Sequence, residues 1–354
     1  MYATPFLALV CLGATPAWAQ APANQPPAAP AEPQYPKISI GTLSYFQYAA
    51  ELKNRDGFNA FDVTRGYINI AGDIAKNVKF RITPFRITPD VRRITDGSLA
   101  GSLTFRLKFG FVEFDELTPR SWVRFGLHQT PWLDFEESIN RYRVQGPMFA
   151  EREGIIPGSG DFGVGLLARA PNNYGEINVG VYNGEGFTRA ETDKRKSIQA
   201  RVTIRPMPHA KLASGLRISA FFDHGWTGKD RPKRHGIVMA SYEHPHFVGT
   251  AEWLAGTTRA NLLVANTEFR GYSLFVEVRQ GMQGWAGIAR FDSFDPDNRF
   301  ADDSRRRTIA GLAYWLTWSA VRIGFVLNDE DVRYDAAVHR PHENRLLFQM
   351  HVQF

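Results

Sequence analysis

Leu346-Leu347-Phe348-Gln349-Met350-His351-Val352-Gln353-Phe354 is the stretch that decides the fold. Leu346, Phe348, Met350, Val352 and Phe354 fall on one side of an extended strand. Gln349, His351 and Gln353 fall on the other, and Leu347 is the exception. Two architectures use such a segment. One is the edge of a soluble β-sandwich. The other is a stave of a transmembrane barrel, one face to lipid and the other to a wet lumen. The rest of the sequence has to choose.

Of 354 residues, 44% are hydrophobic, 13% aromatic and 22% charged. A soluble protein has such a composition, and so does a barrel, in which only alternate strand residues touch lipid. No run reaches the roughly 18 apolar residues of a membrane helix. Thr308 to Val321 comes closest and is bounded by Arg307 and Arg322. A helical membrane bundle is therefore disfavoured.

Phe6 to Gly13 is an apolar core, and Ala17-Trp18-Ala19 is a small-x-small cleavage site, so residues 1–19 read as a secretory signal peptide. It departs from the pattern in having no Lys or Arg before the core. Cleavage after Ala19 removes Cys11, the only cysteine, and with it any thiol, disulfide or cysteine metal site. Residues 20–36, rich in Ala and Pro, read as an extended leader on the periplasmic side. One domain, 37–354, follows.

Alternation recurs along that domain. Val78, Phe80 and Ile82 oppose Lys79, Arg81 and Thr83, and Pro84 marks a strand end or a bulge. Phe105, Leu107, Phe109 and Phe111 oppose Thr104, Arg106, Lys108 and Gly110. Val123, Phe125 and Leu127 oppose Arg124, Gly126 and His128. The pattern continues through Ile198–Ile204, Leu216–Phe222, Tyr272–Val278 and Val321–Leu327, for about sixteen strands. Short connections (Asp73–Asn77, Glu116–Arg120, Ala170–Gly175, Pro206–Ala210, His244–His246, Gly281–Gly284, Thr317–Ser319) alternate with long polar ones. The long ones include Glu51–Asn59, Gly184–Lys196, Gly225–His235, Ser293–Arg305 and Asn328–Asn344. Short turns on one rim and long loops on the other predict an all-β, antiparallel transmembrane barrel.

Arg or Lys on a lipid face costs roughly 2–4 kcal/mol near the midplane. The alternates of the apolar residues therefore point inward. This predicts a basic lumen carrying Lys79, Arg81, Arg106, Lys108, Arg124, Arg169, Arg201, Arg205, Arg217, Arg279, Arg290 and Arg322. Fewer acids share those faces, Glu176, Glu277 and Asp292 being the clearest. With 42 basic against 36 acidic residues overall, such a lumen concentrates anions. The structural alternative is that individual arginines snorkel to headgroups or pair across strands. The longest connection, Pro131 to Asp161, reads as a loop folded inward. It carries Arg141, Arg143 and Arg152 beside Asp134, Glu136, Glu137, Glu151 and Glu153, mixed charge suited to a constriction.

Several segments resemble the phosphate-selective porin O and P family: Phe61-Asp62-Val63-Thr64-Arg65-Gly66-Tyr67, Lys79 to Pro84, Asp96-Gly97-Ser98-Leu99, Arg124 to Trp132 with Asp134 to Glu137, Asp161 to Leu166, Ala289 to Asp297 and Ala310 to Trp315. The resemblance spans nearly the whole of 37–354. It implies a trimeric, sixteen-stranded outer-membrane pore, passive and with an anion preference, phosphate among its candidate solutes. It assigns no phosphate site, because this chain is rich in arginine where phosphate-specific members carry lysines. The alternatives are a substrate-specific organic-anion channel and a barrel-borne enzyme or adhesin.

No nucleophile elbow or Walker loop is present. His244 and His246 flank Pro245 as a turn rather than a metal pair. Asp295, Asp297, Asp302 and Asp303 lack the spacing of a calcium loop. Neither a cofactor, a metal nor a nucleic acid is expected. Arg305-Arg306-Arg307 can meet lipopolysaccharide phosphates, and Phe354 is expected to serve the barrel-assembly machinery as a recognition feature.

Overall fold

Sixteen strands pair in sequence order, and the first pairs with the last. In the computed structural model they are β1 (Lys37–Lys53), β2 (Asn59–Ala75), β3 (Val78–Arg86), β4 (Phe105–Asp115), β5 (Ser121–Gln129), β6 (Gly160–Arg169), β7 (Gly175–Tyr182) and β8 (Ser197–Ile204). There follow β9 (Leu216–Trp226), β10 (Pro232–His244), β11 (Phe247–Thr258), β12 (Thr267–Arg279), β13 (Gly284–Asp295), β14 (Arg305–Trp318), β15 (Val321–Tyr334) and β16 (Glu343–Gln353). All ladders are antiparallel and the sheet closes into a barrel. The structure describes residues 34–54, 57–86, 105–189, 191, 193–226, 231–259, 266–336 and 340–354. Residues 1–33, which read as signal peptide and leader in the sequence, and Asp96–Leu99 lie outside them.

Closure is made by backbone. Phe46 lies opposite Met350, and Thr42 exchanges both ladder hydrogen bonds with Phe354, at 2.8 and 3.1 Å. Two-residue turns at 76–77, 245–246 and 319–320 serve one rim, and Asn77 and Ser319 adopt the left-handed conformation there at φ 60° and 56°. The opposite rim carries the longer connections, although 54–58 and 227–231 are shorter than the sequence suggested. The reason is visible in β15. Asn328 to Tyr334 read as loop, yet the ladder runs on through them, because strand pairing needs no apolar face once it leaves the belt.

The outer face is apolar: Phe125, Val164, Ile198, Ile218, Val238, Leu274, Leu312, Leu327 and Phe348 all stand exposed on it. Such a belt fits hydrocarbon. Among the described residues no helix is long and apolar enough to cross a membrane.

The inner face corrects two sequence expectations. Two register shifts each leave one extra residue in a strand, Thr64 in β2 and Lys108 in β4. A one-residue bulge exchanges the faces of everything beyond it. Phe109 and Phe111, expected on the lipid face, therefore point inward at 5% and 8% exposure, with Gly110 outward. Lys108, as the bulged residue, stays inside. Pro84 sits at this second shift, as a bulge proline should. Leu347, the apolar exception on the polar side of β16, faces inward with Gln349 and His351 as the alternation places it, at 1% exposure.

The second correction concerns the lumen, which is not uniformly polar. Phe221, Ile237, Met239, Leu254, Phe275, Ile288, Trp315 and Val326 face inward and are buried with Trp132, Leu133, Ile139, Tyr142, Met148 and Phe149 of the connection 130–159. The barrel thus contains a hydrophobic core of its own. Each such fully buried side chain contributes roughly 1.5–3 kcal/mol.

Candidate functional site

The connection 130–159 holds two short helices, α1 (Leu133–Ile139) and α2 (Phe149–Arg152). Its hydrogen bonds run to inward-facing groups around half of the wall. Arg201 of β8 donates to the Pro131 carbonyl at 2.8 Å. Tyr142 donates to Glu277 of β12 at 2.7 Å. Arg290 of β13 donates to the Pro147 carbonyl at 3.3 Å. Gln145 donates to Asn328 of β15 at 3.1 Å, and Gln349 of β16 donates to the Val144 carbonyl at 2.8 Å. Contacts with β8 and with β12 to β16, all on the inner side, place this segment within the barrel against that arc.

Its arginines fasten it there. Arg141 pairs with Glu277 and lies on the Trp315 ring, 4.5 Å from its centroid. Arg152 pairs with Glu330 at 2.8 Å. Arg143 bridges Glu137, at 2.8 Å, and Glu151 within the loop. None of the three is free to meet a solute in bulk water. Glu136 points into the core beside Arg290 and Arg143. Burial lifts its carboxyl to about 7, against the pull of those two cations.

The loop's outer side is acidic. Asp134 is exposed, in the field of Arg124, Arg81 and Lys108. Arg65 of β2 feels Glu151 and Glu137. Facing these acids, β2 to β5 present cations laid against aromatic rings. Arg81 lies 4.9 Å from the Phe109 centroid, and Arg124 lies 4.1 Å from Trp122 and 4.9 Å from Phe111. Lys108 lies 4.4 Å from Tyr67 and donates to its hydroxyl at 2.8 Å. Ring faces attract cations, so the side chains that the bulge turns inward hold the guanidinium groups to the wall. Arg81 also donates to Asn69 at 2.8 Å and to Thr83 at 3.0 Å. Acid on the loop and cation on the facing wall set up a transverse field.

The other basic residues expected to face the lumen do face inward, but carboxylates hold most of them. Lys79 pairs with Asp115, Arg201 with Glu176 at 2.7 Å, Arg217 with Glu243, Arg279 with Glu277 at 3.0 Å, and Arg290 with Asp292 at 2.8 Å. Arg124 itself shares Glu113, at 2.5 Å. Arg106 reaches the Thr188 carbonyl at 3.4 Å. Arg322 stacks on Trp315 at 4.4 Å. Arg205 lines a cavity near the short-turn rim with Arg217 and Arg169.

Sequence reasoning missed Arg65, Tyr67 and Glu113. The parity of apolar residues in β2 changes between Phe61/Val63 and Ile68/Ile70, which betrays the bulge at Thr64 and turns Arg65 inward.

Comparison with known proteins is informative at the level of fold. No family model and no curated sequence matches this chain. Solved structures do match. An anion-selective porin from Comamonas acidovorans superposes with a TM-score of 0.63 at 12% identity, covering 90% of this chain and 99% of that one. OmpT of Vibrio cholerae in its trimer form gives 0.59 at 10% identity, over 90% and 99% of the two chains. Salmonella typhi OmpF in complex with daunomycin gives 0.60 at 10% identity, over 90% and 97%. At these identities the likeness establishes the porin-like sixteen-stranded barrel.

Proposed function

We propose that this chain is a bacterial outer-membrane porin, a passive channel for small hydrophilic solutes with a preference for anions. The observation that carries the reading is the loop's Asp134 held in the field of the Arg81–Lys108–Arg124 wall, inside a closed barrel with an apolar belt. The loop acts as the constriction. It limits size, while the transverse field orients dipolar solutes and screens by charge. Anion preference rests on the cations gathered on the wall opposite the loop, Arg65, Arg81, Lys108 and Arg124, of which Arg124 shares Glu113, as most other inward arginines share wall carboxylates.

Phosphate is a candidate solute, in keeping with the resemblance to the phosphate-selective O and P family. In the same reading residues 1–19 are the signal peptide, 20–36 the periplasmic leader and 37–354 the pore domain. The protein sits in the outer membrane as a homotrimer, meets lipopolysaccharide at its long-loop rim and is inserted by the barrel-assembly machinery. A channel dedicated to organic anions is the second reading, favoured by the aromatic backing of the constriction cations. Reconstitution in planar bilayers tests the function. Ohmic single-channel steps and reversal potentials toward chloride in a KCl gradient are expected. Absence of current, or reversal toward potassium, overturns the channel or its anion preference respectively.

A further inference from the structure

Below α1, where β5 to β9 meet the short-turn rim, lies a cavity of about 420 Å³. Its charge is lopsided. Arg120, Arg169, Arg205 and Arg217 line it, and Glu176 is the one carboxylate among its lining residues. Glu176 is already engaged by Arg201, at 2.7 Å, and by Arg169, at 3.6 Å, and Arg217 is offset by Glu243. The neighbouring cavity, of about 540 Å³, shows what balance looks like in this wall: Lys79, Arg120, Arg124 and Arg169 meet Asp73, Glu113, Asp115 and Glu116.

Backbone geometry brings two of the cations to adjacent strand ends. Arg120 holds a left-handed backbone conformation at φ 62°. Its Nε donates to the Arg169 carbonyl at 3.4 Å, and the Arg169 N–H donates to the Arg120 carbonyl at 3.1 Å. Two like-charged residues are thereby neighbours, and they share one nearby carboxylate, Glu176, 3.6 Å from Arg169. On the far side Arg205 follows the end of β8 and Arg217 opens β9, within electrostatic reach of each other. The nearest members of the two pairs, Arg169 at the end of β6 and Arg205 beyond β8, stand about two strand spacings apart, roughly 10 Å, with β7 and Glu176 between them. Phe135 of α1 supplies an apolar side.

We infer that this cavity binds a small organic polycarboxylate, one carboxylate at the Arg120–Arg169 pair, another at the Arg205–Arg217 pair, and the carbon body against Phe135. Guanidinium forks match carboxylates bidentately. A cavity of 420 Å³ falls in the range of about 300–1,000 Å³ of organic-ligand sites, with more room than one inorganic oxyanion fills. Two separated cationic pairs call for two separated charges. The inference deepens the channel reading by naming a solute class and a station at one rim, and it takes from that reading only that the rim is periplasmic.

Citrate titrated calorimetrically into the folded, detergent-solubilised full-length protein tests it, with acetate and inorganic phosphate as controls. Saturable citrate binding is expected, weakened at least about tenfold in Arg169→Gln/Arg205→Gln, which corresponds to 1.4 kcal/mol. Acetate should not saturate, and phosphate should bind more weakly than citrate. Arg120→Gln, on the exposed turn, provides a second variant should the double one misfold, and it should weaken citrate in the same direction. No saturable citrate binding, equal affinity in wild type and variants, or phosphate binding as tightly as citrate overturns the inference. The readout is binding, so silent bilayers would remove the channel reading and leave this one standing, and a conducting protein indifferent to citrate would do the reverse.

Discussion

Arg152 and Glu330 join the loop to the wall, Nη1 to Oε1 at 2.8 Å, with the carboxylate wholly shielded from solvent. Glu330 also receives Arg307 at 2.9 Å and Arg345 at 2.7 Å, so one buried anion serves three guanidinium groups from α2, β14 and β16. Removing the shared partner of a buried ion cluster costs about 3–5 kcal/mol. Glu330→Gln should therefore lower the thermal midpoint and make the open-channel current noisy as the loop tip comes loose. Adding Arg152→Met should recover part of both. A quiet, fully stable Glu330→Gln pore would show that the hydrophobic core alone seats the loop.

The acidic side of the loop works against anion entry and the opposite wall for it. Unit charges 4 Å apart in water interact by about 1 kcal/mol, enough for a severalfold change in local ion ratio. Asp134→Asn with Glu137→Gln should raise the chloride-to-potassium permeability ratio severalfold, and Arg81→Gln should lower it. Reversal potentials in asymmetric KCl read both. Equal shifts in the same direction would contradict the transverse arrangement.

Glu136 carries a pH prediction. Its folded-state carboxyl is held above the ordinary value of 4.5, because burial disfavours the charge and the buried Glu252 lies beside it. A raised folded value means that its contribution to stability is complete below about 4.5 and lost as pH rises through the raised folded value. Wild type should melt at a lower temperature at pH 8 than at pH 5, and Glu136→Gln should flatten that difference. Thermal melts of the two proteins at both pH values decide it.

Phe354 gives β1 a final pair of ladder bonds through Thr42. Each backbone hydrogen bond is worth about 0.5–1.5 kcal/mol net, so its deletion should weaken closure modestly in the folded barrel. The larger expected effect is on assembly. Surface levels should fall, while the pores that do insert keep wild-type selectivity. Normal surface abundance of the truncated protein would count against a role for Phe354 in insertion.

The barrel itself was legible in the sequence, because alternation over nine or more residues leaves little freedom once lipid faces one side. The strand ends were less so. Glu330 lay in what read as the loop Asn328–Asn344, since nothing local distinguishes a polar strand end from a polar loop. Phe109 and Phe111 were assigned to the wrong face because one extra residue, Lys108, reverses parity without changing composition. The internal core was the least visible feature. Ile237, Met239 and Leu254 look like lipid-facing residues to any rule that knows only apolar-out, and only their long-range partners Trp132, Leu133 and Met148 place them otherwise.

That internal core separates two quantities that a hollow cylinder would bind together. Strand number fixes the circumference of the wall, and with it the energetic fit to the surrounding bilayer. The bore is set elsewhere, by how far one docked segment stands off β2 to β5. Substitutions on the outward side of α1 can therefore widen, narrow or recharge the passage while every ladder and every lipid contact stays as it was. Solute preference in such a protein is free to drift quickly on a scaffold that hardly changes.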